Sequence, residues 1–301
     1  MYTGNTLDLA EFDREFGLSV QRCCKFSYVG KVPTKLDRRV VPCTKQIHID
    51  QALAGEGVAG IITLAGLSDG VPKGFGLAVS EAPLRSALLL QSHIAALGDF
   101  QWEHFETRIH PTAQVHEGAI VSPHDVVVGE GSVIYPGAVI MPRAIIGKWC
   151  SIGPGTVVST DAFDLDTSSD PFQVVRQSGG VWISDHVDIQ AKCTIVRATF
   201  GGFTRLGEGT KLDCQIHFAH DCLAGRNVRI AACAEISGRV EIGNRAFIGP
   251  NVSISNGISI GEEARITIGS VVTRDVPAGE TVTGNFAVPH RKWISFMRSL
   301  K

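Results

Sequence analysis

The feature that most constrains this chain is a six-residue period. From Leu206 an apolar or small residue recurs at every sixth position: Leu212, Phe218, Ala224, Ile230, Ile236, Ile242, Ile248, Ile254, Ile260, Ile266 and Val272. An earlier block reads Val128, Ile134, Ile140, Ile146, Ile152 and Val158. Ile109, Val115 and Val121 precede it one residue out of register, and Ile183, Ile189 and Ile195 lie between the long blocks. An amphipathic helix repeats every 3.6 residues and a half-buried strand every two, so neither produces a strict six. A chain that turns after each short strand, three strands to a coil, does so. Twenty-four hexads make about eight coils of a triangular prism, a left-handed parallel β-helix whose hexad residues point inward. The glycine that follows in Ile146-Gly147, Ile152-Gly153, Ile242-Gly243, Ile248-Gly249 and Ile260-Gly261 is expected to help the chain turn at the corner.

Residues 1–105 lack the period. A strand is predicted at 58–64 and another at 75–79, then an amphipathic helix over 83–97 with proline in its first turn. The expected organisation is mainly β: a small N-terminal α/β cap domain (1–105), the β-helix (106–279) and a short basic, helical C-terminal segment (280–301). Glycine is abundant, at 33 residues, and aromatics are only 7%, which suits tight coils filled by aliphatic side chains. A net charge of −2 gives no case for nucleic acid or an anionic membrane as partner. No stretch approaches the roughly 20 apolar residues of a membrane span. The N-terminus has neither a basic cap nor an apolar run, and the eight cysteines show no CxxC pair. A cytoplasmic protein with reduced thiols is expected.

Two interruptions locate the chemistry. Residues 159–182 and 196–205 each replace a short side of the prism with a loop. Counting sides places both on the same side, one coil apart, and His220 on that side one coil further. Gly238 and Asn256 follow at intervals of 18 residues, so the three should stack on adjacent coils between walls made by the loops. An imidazole there suits general-base work, since its unperturbed pKa of about 6.5 lies near operating pH. Asp213 and His217 precede the same corner, and a carboxylate in reach could fix the imidazole tautomer. Gly238 offers an unobstructed backbone N–H, as an oxyanion donor requires.

The run Leu212-Asp213-Cys214-Gln215-Ile216-His217-Phe218-Ala219-His220-Asp221 resembles the D-N-x-x-x-I-A-H-N segment of the UDP-3-O-acylglucosamine N-acyltransferases of lipid A synthesis. The likeness continues upstream through residues 156–163 and 187–195, and covers about residues 105–285. It implies a homotrimer with clefts between neighbouring prisms. It also implies transfer of a 3-hydroxyacyl group from acyl carrier protein phosphopantetheine, or a coenzyme A thioester, to the amine of a nucleotide-linked amino sugar, with no permanent cofactor. His220 would then be the base, Asp213 its support and Gly238 the oxyanion donor. His217, Asn256, Asp161 and Phe163 would help bind substrate. The chain departs from the pattern in three places. Gly257 stands where the family has a second histidine, no Phe-x-x-Asn-Pro-Lys-Tyr segment for uridine occurs near residues 40–50, and the long C-terminal helix stops short at Lys301. An enzyme for another amino sugar, in surface polysaccharide synthesis, fits the pattern equally well.

The basic segment at Arg291, Lys292 and Arg298 contains no acidic residue after Glu280. It reads as a solvated face or as a dock for an acidic carrier protein or coenzyme A phosphates. His110 and His116 follow successive corners, but no three histidines share a spacing that would stack them, so no metal site is expected. Two other readings stay open: a coenzyme A-dependent O-acyl- or acetyltransferase of the same fold, and a non-catalytic or metal-binding β-helix.

Overall fold

The computed structural model describes residues 3–30, 36–167, 169–284 and 287–300. Three parallel sheets of eight, nine and eight strands form the faces of a left-handed β-helical prism. The first face begins at Arg108–Ile109, the second at Gln114–Val115 and the third at Ile120–Val121, and successive coils revisit them in that order. Thr281–Val282 still pairs with Arg265–Ile266, so the coils run past residue 279, where the sequence period had placed the boundary.

Two positions per hexad point inward. Besides the periodic residues, those two places earlier (Ile216, Cys222, Val228, Ala234, Val240, Ala246 and Val252) are buried in the same core. Each buried aliphatic side chain contributes roughly 1.5–3 kcal/mol, and the stack repeats that contribution at every corner.

The turning device is not the glycine after the apolar residue. From Gly209 onward the left-handed backbone conformation falls on every sixth residue, three places after each apolar corner. It is adopted in turn by Gly209, Gln215, Asp221, Asn227, Cys233, Arg239, Arg245, Asn251, Gly257, Glu263 and Gly269. Each non-glycine there costs about 1–2 kcal/mol, offset by coil-to-coil bonds such as Arg239 N–H to the His220 carbonyl at 2.9 Å. The glycines directly after the apolar residues answer a different need, close approach between coils. A Cβ on Gly207 would lie 2.3 Å from the Gly225 carbonyl oxygen, and one on Gly243 would lie 2.5 Å from the Glu262 nitrogen.

The N-terminal region carries a five-stranded sheet in the order Ser19–Arg22, Gly76–Val79, Val58–Thr63, Arg39–Cys43, Tyr28–Val29. Its helices are α1 (Gln46–Ala54) and α2 (Pro83–Ala95), the latter opened by its proline as the sequence predicts. The two insertion loops fasten this region to the prism. Phe200, from the second loop, is buried in the cap's own core with Phe26, Val29 and Ile94. From α2, Gln91 donates to the Ser178 hydroxyl at 2.7 Å, and Arg85 faces Asp166 at 3.6 Å. The basic C-terminal segment forms α3 (His290–Ser299), all of whose side chains stay outside the core.

Candidate active site

Every turn from the third face to the first lies on one edge of the prism, and the chemistry collects there. Both insertions leave the third face at this edge and rejoin the first face, after Val157–Thr160 and after Thr194–Val196. His220 turns between His217–Phe218 and Leu223–Ala224, Gly238 between Glu235–Ile236 and Glu241–Ile242, and Asn256 between Ser253–Ile254 and Ser259–Ile260. The stack predicted from spacing is therefore physical. A Cβ on Gly238 would lie 2.4 Å from His220 Nε2 and 3.0 Å from Asn256 Nδ2. Glycine at 238 is what lets the imidazole lie across the coil below.

The carboxylate that holds His220 is Asp221 and not Asp213. Nδ1 is 2.8 Å from Asp221 Oδ2 and 3.2 Å from Thr199 Oγ1. Thr199 donates its hydroxyl hydrogen to Asp164 Oδ2 at 2.9 Å, so toward the imidazole it can only accept. Both neighbours of Nδ1 are thus acceptors, which places the ring proton on Nδ1 and leaves the lone pair on Nε2. Asp221 is fixed in turn: its carboxylate accepts from the Thr199 N–H at 3.2 Å, and its own N–H donates to Thr204 Oγ1 at 2.9 Å. The left-handed turn at Asp221 swings its side chain back beside the histidine that precedes it. His220 and Asp221 are both largely buried, at 13% and 14% side-chain exposure, which strengthens their interaction.

The other expected residues are spread more widely over the prism. Asp213 caps its own corner, accepting from the Cys214 N–H at 2.7 Å, and does not meet His220. His217 faces Glu235 at 3.8 Å on the outside of the third face. Asn256 accepts from Arg239 Nη1 at 3.4 Å, and Arg239 Nη2 approaches Asp164 at 4.0 Å. Asp161 pairs with Arg197 at 3.2 Å, coils away from His220 toward the N-terminus. Phe163 is 86% exposed. Arg291, Lys292 and Arg298 sit on the exposed helix α3, outside this cluster.

Sequence reasoning missed Thr199, Asp164 and Arg239, and gave the role of Asp221 to Asp213. Thr199 and Asp164 lie in the insertions, where no period registers them. Asp221 was legible as a carboxylate next to the histidine. Cys222 is close enough to invite a thiolate reading, but burial pushes its thiol up to about 12, so it stays protonated and cannot serve as nucleophile. Burial also lowers the Arg197 guanidinium from its ordinary value, with the Asp161 carboxylate opposing that shift. Among the described residues no three His, Cys, Asp or Glu side chains gather as a metal-holding group.

Part of the prism matches a known repeat family. Residues 125–160 match the bacterial transferase hexapeptide family (six repeats). The curated relatives that the chain matches are more particular. It is 34% identical over 149 residues to the UDP-3-O-acylglucosamine N-acyltransferase of Caulobacter sp. (strain K31), covering 50% of this chain and 44% of that protein. To the protein of the same name from Methylobacterium nodulans it is 34% identical over 156 residues, 52% of this chain and 44% of that one. The chain thus spans less than half the length of either. Among solved structures, the UDP-N-acetylglucosamine acyltransferase from Campylobacter jejuni is 26% identical with a TM-score of 0.48, covering 64% of this chain and 83% of that one.

Proposed function

We propose that the chain is an N-acyltransferase that moves an acyl group, a 3-hydroxyacyl by the family resemblance, from a thioester to the amine of a nucleotide-linked amino sugar. One observation carries the mechanism: two acceptors hold the His220 proton on Nδ1, and the basic Nε2 faces the bare side of Gly238. The partial match to the named N-acyltransferases supports the substrate class.

Nε2 takes a proton from the amine as nitrogen bonds to the thioester carbonyl carbon. Asp221 stabilises the imidazolium so formed. Negative charge gathers on the carbonyl oxygen, where the Gly238 N–H can donate; no backbone bond within the prism claims that N–H among the described residues. Collapse of the tetrahedral intermediate expels the thiolate, which takes the proton back from His220. Asn256, steadied by Arg239, lies two coils on from His220 as a polar contact for the sugar. His217, outside the third face, and Asp213, on the neighbouring edge, stand across the third face from the base, Asp161 lies further up the edge, and the exposed Phe163 ring is suited to a neighbouring subunit's cleft in a homotrimer. The cationic residues Arg291, Lys292 and Arg298 of α3 fit an acidic acyl carrier protein or the phosphates of coenzyme A. Eight free thiols suit the cytoplasm, and no described helix is long and apolar enough to cross a membrane.

The test is thiol release from acyl carrier protein and acyl-coenzyme A donors against nucleotide amino sugars, with hydroxyl analogues as the O-acyl control. His220→Ala should lower turnover about 10²–10⁴-fold in a protein that still melts cooperatively. Turnover that survives this substitution refutes the mechanism. Activity on the hydroxyl analogue alone moves the reading to O-acyl transfer.

A further inference from the structure

Above His220, the same edge of the prism carries a second cavity of about 610 Å³. Its walls come from successive turns of that edge, from the first insertion and from the C-terminal end of α2. Three guanidiniums line it from three separate segments: Arg143 on a prism corner, Arg176 in the first insertion and Arg197 in the second. His104 and His124 line it as well. The cavity also contains two carboxylates, and both are already engaged. Asp125 accepts from Phe105 N–H at 3.0 Å and lies 2.6 Å from His104 Nδ1, and Asp161 is paired with Arg197.

The arginines are placed by the fold. Arg197, at 9% exposure, donates from Nε to the Ser159 carbonyl at 2.9 Å and from Nη2 to the same oxygen at 2.5 Å. Arg143 lies over the Trp102 ring at 5.9 Å and donates to the Gln177 carbonyl at 3.4 Å. The Arg176 N–H donates to Ser92 Oγ of α2 at 3.3 Å, which fixes its backbone beside that helix, and the residue is exposed. Planar guanidiniums from several directions match the tetrahedral oxygens of phosphate, and a cavity of this size suits a small-molecule ligand.

We propose that this cavity is the phosphate-binding subsite for the nucleotide part of the acceptor, with Arg143 and Arg176 holding its diphosphate and Arg197, paired with Asp161, fixing the wall between the two insertions. The assignment rests on the N-acyltransferase reading for the identity of the ligand, but not for the presence of an anion site. Arg197 stands two residues before Thr199, which touches the His220 imidazole. Coils are about 4.8 Å apart, so a diphosphate held here lies a few coils from the base, with the sugar between.

Calorimetric titration with UDP, inorganic pyrophosphate and uridine tests the subsite directly. UDP and pyrophosphate should compete for one site that uridine alone fills far more weakly. Arg176→Ala and Arg143→Lys should each weaken both anions about tenfold or more, while Arg176→Lys keeps more affinity than Arg176→Ala. Melting curves check that the variants fold. His220→Ala should bind both anions like the unmodified protein. The proposal is overturned if neither anion binds, or if Arg176→Ala and Arg143→Lys bind them with unchanged Kd. If those variants also keep an unchanged acceptor KM while His220→Ala is inactive, the cavity assignment falls and the acyltransferase reading stands. If the arginine-dependent anion site is present but no donor and acceptor pair turns over, the acyltransferase reading falls and the anion site stands.

Discussion

Replacing Gly238 by alanine separates the placing of the base from the oxyanion donor. The added Cβ would stand 2.4 Å from His220 Nε2 and 2.6 Å from Cε1, where ordinary contact begins at 3.4 Å. The imidazole must therefore retreat by about 1 Å, the scale at which a displaced catalytic group costs on the order of 10²-fold in rate. Retreat also strains the 2.8 Å contact to Asp221, so a fall in kcat of about 10²–10³-fold, roughly 2.7–4 kcal/mol, is expected. The oxyanion donor survives, because alanine keeps the backbone N–H. The fold should survive too: Gly238 is not among the residues of left-handed conformation, so alanine meets no backbone strain there. Thiol-release kinetics read the first effect and thermal melting the second. Gly257→Ala is the matched control, with open space around its Cβ but φ at +73°. It should cost stability, about 1 kcal/mol, and leave turnover within about threefold. Wild-type turnover in Gly238→Ala would refute the idea that the bare coil at 238 places the histidine.

Three further outcomes follow from the same geometry. Asp221→Asn should lower kcat at least 10²-fold, by removing the acceptor that fixes Nδ1–H and stabilises the imidazolium; Asp213→Asn should cost only a few-fold, and the reverse ranking in the same assay would return the supporting role to Asp213. Stability should fall above pH 9, because burial pushes the Cys222 thiol to about 12 and Cys150 to about 11 from an ordinary 9.0. With folded values above unfolded ones, the contribution is complete below pH 9 and is lost as pH rises through 9 to about 12. The loss is about 1.4 kcal/mol per pH unit for each such thiol, and Cys222→Ala should flatten the slope seen by denaturant titration; an unchanged slope removes Cys222 from the account. Ile236→Ala, at a fully buried corner beneath the site, should cost about 2–5 kcal/mol in the same titration, and a loss below 1 kcal/mol would show that the coil relaxes around the gap.

The architecture was legible because each corner buries its own apolar residue in a local stack, so the period survives in one dimension. The same arithmetic stacked His220, Gly238 and Asn256, since 18 residues make one coil wherever no insertion intervenes. It could not say what the glycine after each apolar corner is for. Turning falls to residues such as Gln215, Asp221 and Arg239 two places later, and the glycines answer contacts between coils that no single hexad displays.

By itself, then, the sequence determined the prism, the edge that bears the insertions and the column of residues on it. All three depend on a repeating burial pattern that each short segment satisfies alone. The tertiary structure decided which carboxylate holds the histidine, and it brought Thr199, Asp164 and Arg239 to the same place. It also gathered three arginines into one cavity above them. Those choices rest on side-chain directions, and on where two aperiodic loops land after packing against the cap. Residues that meet this way share no spacing, so only the folded chain shows them together.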